Sequence, residues 1–123
     1  FDNRTTGLRV PDANPKNYRI ENRFPGADVN PYLSIAATLA CGYLGMKNKI
    51  EPSEAYEGNA YEEELALPRT LEEALRGLQE DPDIIELFGE TFIQLYTSIK
   101  LVEFEEFNHV ISSWEREHLL LNV

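Results

Sequence analysis

The sequence changes character near residue 28, and this change limits the possible folds more than any other feature. Before it, residues 4–10 and 18–24 are short runs rich in Thr, Val, Leu and Ile, and a loop containing Pro and Asn separates them. This pattern is typical of two strands joined by a turn. After residue 28, apolar residues recur at helical spacing. The pattern predicts an α+β fold, with a strand pair in residues 1–27 and a mostly helical subdomain in residues 28–123.

The helical part begins with a strong capping signal. Asn30 can accept a hydrogen bond from an orphan amide, and Pro31 at the first helical position needs no donor. Apolar residues lie on almost every side of the segment 31–47, so we expect a helix that is buried on most of its surface. Cys41 lies within this segment and is expected to be a packed structural thiol rather than a nucleophile.

Further helices are predicted downstream. Thr70 and Glu73 have the spacing of a capping box and precede a one-sided apolar stripe. Asp81 followed by Pro82 repeats the arrangement of a cap and then a proline. Apolar residues recur at spacings of three and four over residues 90–112, which predicts a long amphipathic helix.

Charge and apolar content exclude several classes of function. The 123 residues include 22 Asp and Glu against 11 Lys and Arg, a net charge of −11. This charge disfavours binding of nucleic acids or anionic membranes through bulk electrostatics. The longest apolar run, residues 33–46, is shorter than the ~20 residues that span a bilayer. A single cysteine excludes an intrachain disulfide and a cysteine-based zinc site, and it fits a cytoplasmic protein.

The first thirty residues locally reverse the sign of the charge. Strand alternation places Arg19, Glu21 and Arg23 on one face. Arginine forks match phosphate oxygens, and the carboxylate of Glu21 suits a hard cation such as Mg²⁺ or Mn²⁺. On spacing alone, the favoured alternative is an exposed charge ladder in which each pair contributes less than about 1 kcal/mol. This segment contains five cationic side chains and four carboxylates: Arg4, Arg9, Lys16, Arg19 and Arg23, and Asp2, Asp12, Glu21 and Asp28.

Three ordered motifs carry a family resemblance. Residues 3–11 (NRTTGLRVP), 19–25 (RIENRFP) and 30–33 (NPYL) resemble, in order and spacing, the C-terminal part of the glutamine synthetase catalytic domain. The similarity continues through residues 67–75 and Lys100, so it covers essentially the whole chain. It implies that residues 1–123 form the C-terminal segment of such a domain. The strand pair would then belong to the catalytic sheet, and the family's other metal ligands would lie upstream.

The resemblance also implies roles for individual residues. Arg4 and Arg9 correspond to ligands of the glutamate or acyl-phosphate end and of the ATP phosphates, with Arg4 at the reacting group. Lys16 corresponds to a lysine on the nucleotide side. Glu21 corresponds to a carboxylate ligand of a catalytic Mg²⁺ or Mn²⁺ ion. Arg23 corresponds to the arginine that stabilises the phosphoryl group during transfer.

The reaction implied by this resemblance has two steps. ATP phosphorylates the side-chain carboxylate of glutamate, and an amine then displaces phosphate from the γ-glutamyl phosphate. Residues 25–30, 58–61 and 114–121 resemble the γ-glutamylpolyamine synthetase branch more than the ammonia-using enzymes, so we expect putrescine or another polyamine as the amine. Ammonia is the alternative, as in the ordinary glutamine synthetases.

Assembly and regulation follow from the same resemblance. The family implies a cytoplasmic homo-oligomer of stacked rings, of the dodecamer type. The 123-residue segment alone is expected to be inactive, and a non-catalytic relative or assembly module is the alternative from another class. Tyr61 falls where some bacterial glutamine synthetases carry an adenylylated tyrosine, but the acidic residues 62–64 replace the usual flanking residues. We therefore expect Tyr61 to be a structural loop residue.

Overall fold

A computed structural model describes residues 3–11, 14–64 and 67–121. Asp2 and Asp12, two of the carboxylates counted near the arginines, lie outside the described residues, as does Val123. The chain divides into two compact units between residues 66 and 67. The α+β class predicted from the sequence is confirmed, because a strand pair and helices are both present.

The strand pair lies in the first unit. Strand β1 (Leu8–Arg9) pairs antiparallel with β2 (Glu21–Asn22), with Leu8 opposite Asn22 and Arg9 opposite Glu21. A single turn of 3₁₀ helix at Pro15–Asn17 lies in the connection. The regular pairing covers only two residues of each strand, so it is shorter than the predicted runs 4–10 and 18–24.

Helix α1 (Pro31–Lys47) also belongs to the first unit and begins as predicted. The side-chain oxygen of Asn30 accepts hydrogen bonds from the amides of Tyr32 and Leu33 at 3.0 and 3.3 Å. The prediction that this helix is buried on most sides is wrong, because only Ala40 and Leu44 are buried. Cys41 is exposed, so the packed thiol is also wrong. An apolar composition shows that a helix is able to be buried, but burial depends on which neighbours cover it.

The second unit is helical. Ile93 on α4 and Leu75 on α2 are its buried apolar residues, and Thr97 is buried on the same face of α4, one turn after Ile93. Contacts join α2 to α3 and both of these helices to α4. In the part of the chain that the structure describes, none of the helices has the length and apolar character needed to cross a membrane. The helices are α2 (Leu71–Glu80), α3 (Pro82–Phe88), α4 (Glu90–Asn108) and α5 (Ser113–His118).

The capping signals of this unit are confirmed in part. The Thr70 hydroxyl accepts from the Glu73 amide at 3.2 Å, and the Asp81 carboxylate caps α3. The Glu73 carboxylate, however, accepts from the amide of Arg69, so this capping box is not closed. A closed capping box occurs at Ser112 instead, at the start of α5.

Candidate anion-binding site

The centre of the site is a cross-strand pair. Register places Arg9 of β1 directly opposite Glu21 of β2, and directly opposed side chains on an antiparallel pair lie on the same face. The Arg9 Nε atom donates to Glu21 Oε2 at 2.8 Å, and Arg9 Nη2 donates to Glu21 Oε1 at 3.1 Å. This two-point geometry is the strongest arrangement of a guanidinium and a carboxylate.

Two further arginines reach the same carboxylate. Arg19 Nη2 lies 3.3 Å from Glu21 Oε1, and Arg23 Nη2 lies 3.6 Å from Glu21 Oε2. The face predicted from strand alternation is therefore confirmed, since Arg19, Glu21 and Arg23 meet. Among the described side chains that contact Glu21, three guanidinium groups surround this one carboxylate, so cationic groups are in local excess in a strongly acidic chain. Such an excess favours binding of an additional anion.

Solvent reaches this cluster. The side chains of Glu21 and Arg23 are 28% and 29% exposed, and that of Arg19 is 56% exposed. The hydrogen bond from Arg9, aided by the charges of all three arginines, lowers the pKa of Glu21 below its ordinary value of 4.5. Glu21 in turn raises the pKa of Arg9. Both shifts favour the ionised forms of Arg9 and Glu21, and the exposed side chains of the cluster are accessible to a charged ligand.

Arg23 is held from a second direction by the main chain. Its Nη1 atom donates to the carbonyl oxygen of Asn3 at 2.9 Å, and its backbone amide donates to the carbonyl of Gly7 at 2.8 Å. A Cβ atom at Gly7 would lie 2.1 Å from the ring of Phe24, so only glycine permits this approach. The guanidinium is therefore anchored at both terminal nitrogens, by Glu21 and by Asn3.

Arg4 and Lys16 do not join the cluster. Both are exposed, and no ion pair links either of them to another described residue. Lys16 lies in the 3₁₀ turn, which is held by the Asn14 side chain accepting from the Lys16 amide at 3.2 Å. Arg19, in contrast, belongs to the cluster, although the family resemblance of the sequence motifs implied no role for it. Strand alternation was the signal that identified it.

The described residues do not make a complete metal site. They contain no group of three or more His, Cys, Asp or Glu side chains placed to hold a metal ion. Magnesium and manganese need several oxygen ligands, and Glu21 supplies one carboxylate that already contacts three arginines. The cluster therefore suits an anionic ligand, while Glu21 can offer a metal no more than a single side chain.

An apolar surface lies beside the cluster. Val10, Tyr18 and Ile20, together with Arg19, line a shallow and open depression of about 280 Å³. Arg19 is the member of the cluster that also borders this depression. Tyr61, in contrast, is 79% exposed in the 3₁₀ turn Ala60–Glu62, so its ring does not pack against this unit.

Comparison with known proteins identifies relatives. Residues 1–119 match the model of the family described as glutamine synthetase, catalytic domain. The chain is 40% identical to glutamate–isopropylamine ligase from Pseudomonas sp over 119 residues, 94% of this chain and 26% of that protein. It is 41% identical to glutamine synthetase from Aquifex aeolicus, with 88% of this chain and 26% of that protein covered. Identity to γ-glutamylputrescine synthetase from Escherichia coli is 37%, over 98% of this chain and 26% of that protein. The chain thus spans about a quarter of the length of these relatives.

Proposed function

Because this chain belongs to the glutamine synthetase family, we propose that it acts as part of a longer, ATP-dependent ligase that joins an amine to glutamate. The proposed reaction forms γ-glutamyl phosphate from ATP and glutamate, and the amine then displaces phosphate. The observation that carries this proposal is the set of three arginines around Glu21 on the β1–β2 face. Guanidinium forks in a fixed arrangement are suited to bind and neutralise a transferring phosphoryl group.

Each cation of the segment receives a role in this proposal. Arg23 donates to the equatorial oxygens of the phosphoryl group, where negative charge is spread in the transition state. Arg9 and Lys16 bind phosphate oxygens of ATP, and Arg4 binds the reacting end of glutamate. Arg19 is added here as a further phosphate ligand, because it lies in the same cluster.

Glu21 keeps the arginines ready when no phosphate is present. Its contact with Arg23, at 3.6 Å, is longer than its two contacts with Arg9, at 2.8 and 3.1 Å. A phosphoryl group therefore competes most easily for Arg23 and leaves the Arg9 pair in place. A divalent metal, when bound, neutralises phosphate charge, and Glu21 is the residue of this chain that we assign to it. The other ligands are proposed to come from elsewhere in the ligase.

The amine is proposed to be putrescine or a related polyamine. The support is the similarity of residues 25–30 and 114–121 to the polyamine branch, together with the γ-glutamylputrescine synthetase relative. Relatives named for other amines are at least as similar, since the glutamate–isopropylamine ligase is 40% identical and a γ-glutamylethanolamide synthetase from Streptomyces coelicolor is 37% identical, against 37% for the γ-glutamylputrescine synthetase. Ammonia is the alternative substrate. The ligase is further proposed to be a cytoplasmic homo-oligomer of stacked rings.

A second candidate, a non-catalytic assembly module, is favoured by one observation. Apolar side chains on α1 are exposed, including Tyr32, Leu39 and Met46 at 83%, 68% and 75%. Surfaces of this kind are typical of sites that contact other protein segments. The two candidates differ in a simple respect, because an assembly module releases no ADP with any amine.

The decisive experiment is an ADP-release assay on the complete ligase. Initial rates are measured with glutamate, ATP and magnesium, and with ammonium, putrescine, spermidine, ethanolamine or isopropylamine as the amine. We expect kcat/KM for putrescine to exceed that for ammonium by tenfold or more, about 1.4 kcal/mol of transition-state discrimination. The reverse preference would overturn the polyamine assignment and retain the ligase. Absence of ADP release with every amine would overturn the ligase itself.

A further inference from the structure

The side chain of Asn3 ties a distant loop to the strand pair. Its Nδ2 atom donates to the carbonyl oxygens of Tyr56 and Gly58 at 3.3 and 3.0 Å. Its Oδ1 atom accepts from the amide and the hydroxyl of Thr5 at 2.9 and 2.8 Å. An amide side chain has two N–H donors and two acceptor lone pairs, so every hydrogen-bonding position of the Asn3 side chain is used. Reversing the amide would place its oxygen against two carbonyl oxygens, so the network admits one orientation only.

A second link joins the same two segments. The Thr5 hydroxyl accepts from the amide of Ala60 at 2.8 Å while it donates to Asn3. Gly58 has a φ of +136°, a conformation that residues with a Cβ rarely adopt, so glycine permits the path of this loop. The phenol of Tyr56 donates to Glu63 at 2.6 Å and closes the loop at its other end. The loop at residues 56–60 is therefore held to Asn3 and Thr5 by three separate carbonyl or amide groups.

The other side of Asn3 faces the arginine cluster. Its carbonyl oxygen accepts from Arg23 Nη1 at 2.9 Å, and Arg23 Nη2 lies 3.6 Å from Glu21. One residue thus contacts the loop through its side chain and Arg23 through its backbone. A displacement of the loop would therefore be passed to the Asn3 carbonyl and from there to the guanidinium of Arg23.

We propose that Asn3 is a positioning residue that couples the loop at residues 56–60 to the orientation of Arg23 during phosphoryl transfer. The inference rests on the proposed function, in which Arg23 contacts the transferring phosphoryl group. Donors that stabilise a transition state act through preorganised geometry, and a small misplacement is costly in rate. Loosening Asn3 is therefore expected to lower kcat much more than it changes KM for ATP.

The first test replaces Asn3 with Asp in the complete ligase. Asn3→Asp keeps the oxygen that accepts from Thr5 but sets a second oxygen against the carbonyls of Tyr56 and Gly58. We expect kcat to fall by about tenfold or more, while KM for ATP changes by less than about threefold. The matched control is Asn30→Asp, because the Asn30 oxygen caps α1 and an aspartate performs that role equally well. The control is expected to retain activity close to wild type.

Two substitutions at Thr5 test the same link between the loop and Asn3 in case Asn3→Asp does not fold. Thr5→Val removes the hydroxyl that links Ala60 to Asn3 at nearly constant shape, and Thr5→Ser keeps it. We expect Thr5→Val to lower kcat and Thr5→Ser to keep it close to wild type. Thr5→Val also loses two hydrogen bonds, so its thermal midpoint is expected to fall somewhat, and kcat is therefore compared at a temperature well below the midpoints of both variants. Activity near wild type in both Thr5 variants would overturn the coupling.

A double-mutant cycle separates positioning of Arg23 from a general structural effect. In the Arg23→Lys background, Asn3→Asp is expected to lower kcat by less than about twofold, because the group that it positions is already lost. An equal decrease in both backgrounds would overturn the coupling while leaving the ligase function intact. A wild-type ligase that releases no ADP with any amine would instead overturn the proposed function, and this inference with it.

Discussion

The guanidinium of Arg9 donates to both carboxylate oxygens of Glu21 across the β1–β2 pair, at 2.8 and 3.1 Å. These two hydrogen bonds are the shortest contacts between the Glu21 carboxylate and the three arginines. Arg19 and Arg23 remain at 3.3 and 3.6 Å, so their contacts with Glu21 are the weaker ones. In the ligase proposed above, a phosphate would therefore compete more easily with Glu21 for Arg19 and Arg23 than for Arg9.

Substitution of Glu21 tests its two proposed roles. Glu21→Gln in the complete ligase is expected to reduce turnover by about 100-fold or more and to raise the magnesium concentration that gives half-maximal rate, because a neutral amide is a poorer ligand of a hard cation. Rates measured across a magnesium titration check this. The control is Glu103→Gln on α4, which removes a carboxylate that pairs with Lys100 instead. Lower turnover with unchanged magnesium dependence would restrict Glu21 to organising the arginines.

Arg23→Lys tests the role of the planar guanidinium. Lysine keeps the charge but loses the fork that contacts two oxygens at once, so kcat is expected to fall more than KM for ATP rises. Steady-state kinetics with varied ATP separate the two parameters. Arg76→Lys, on the exposed surface of α2, is the matched control and is expected to behave like wild type. A change confined to KM would make Arg23 a ground-state ligand.

The arginine cluster predicts a dependence of stability on pH. Because the pKa of Glu21 is lowered in the folded state, the stabilisation that its ionised form provides is fully present above the ordinary value of 4.5. It is lost as the pH falls through the lowered, folded-state pKa. The difference in thermal midpoint between wild type and Glu21→Gln is therefore expected to be constant between about pH 6 and about pH 7, where Glu21 is ionised in both the folded and the unfolded chain. The difference is expected to shrink below pH 4.5. A difference that grows in acid would contradict this.

Thr97 is expected to be a site where a substitution stabilises the protein. It is 3% exposed, and its hydroxyl has no hydrogen-bond partner among the described residues. Thr97→Val removes this unsatisfied group at similar shape and is expected to raise stability by about 1 kcal/mol, measured as a higher thermal midpoint. The control is Thr38→Val, because the Thr38 hydroxyl accepts from Asn22 and donates to Ser34. That change is expected to lower the midpoint.

The exposed apolar residues predict how the 123-residue chain behaves by itself. Ile35, Leu39 and Met46 of α1 are 60%, 68% and 75% exposed, which is a large apolar surface for one helix. We expect the chain alone to associate and to release no ADP, because apolar surface of this extent favours contact with other protein. Sedimentation velocity measures the association, and replacing Leu39 with Ser is expected to reduce it. A compact monomer with a cooperative thermal transition would contradict the prediction.

The sequence by itself determined the features that depend on residues close together in the chain. The caps at Asn30, Thr70 and Asp81 were predictable, because each side chain meets an amide two or three residues away. The shared face of Arg19, Glu21 and Arg23 follows from the two-residue period of a strand in the same way. The order of the three motifs was also sufficient to indicate the family, which the comparison over residues 1–119 confirmed.

Only the tertiary structure decided the features that join distant residues. Periodicity placed apolar residues around α1, but the neighbours present determine that Ala40 and Leu44 alone are buried there. Register brought Arg9 to Glu21 across a turn, at a separation of 12 residues. Asn3 meets Gly58 at a separation of 55 residues. No local pattern encodes that last contact, because its geometry depends on the path of the whole intervening chain.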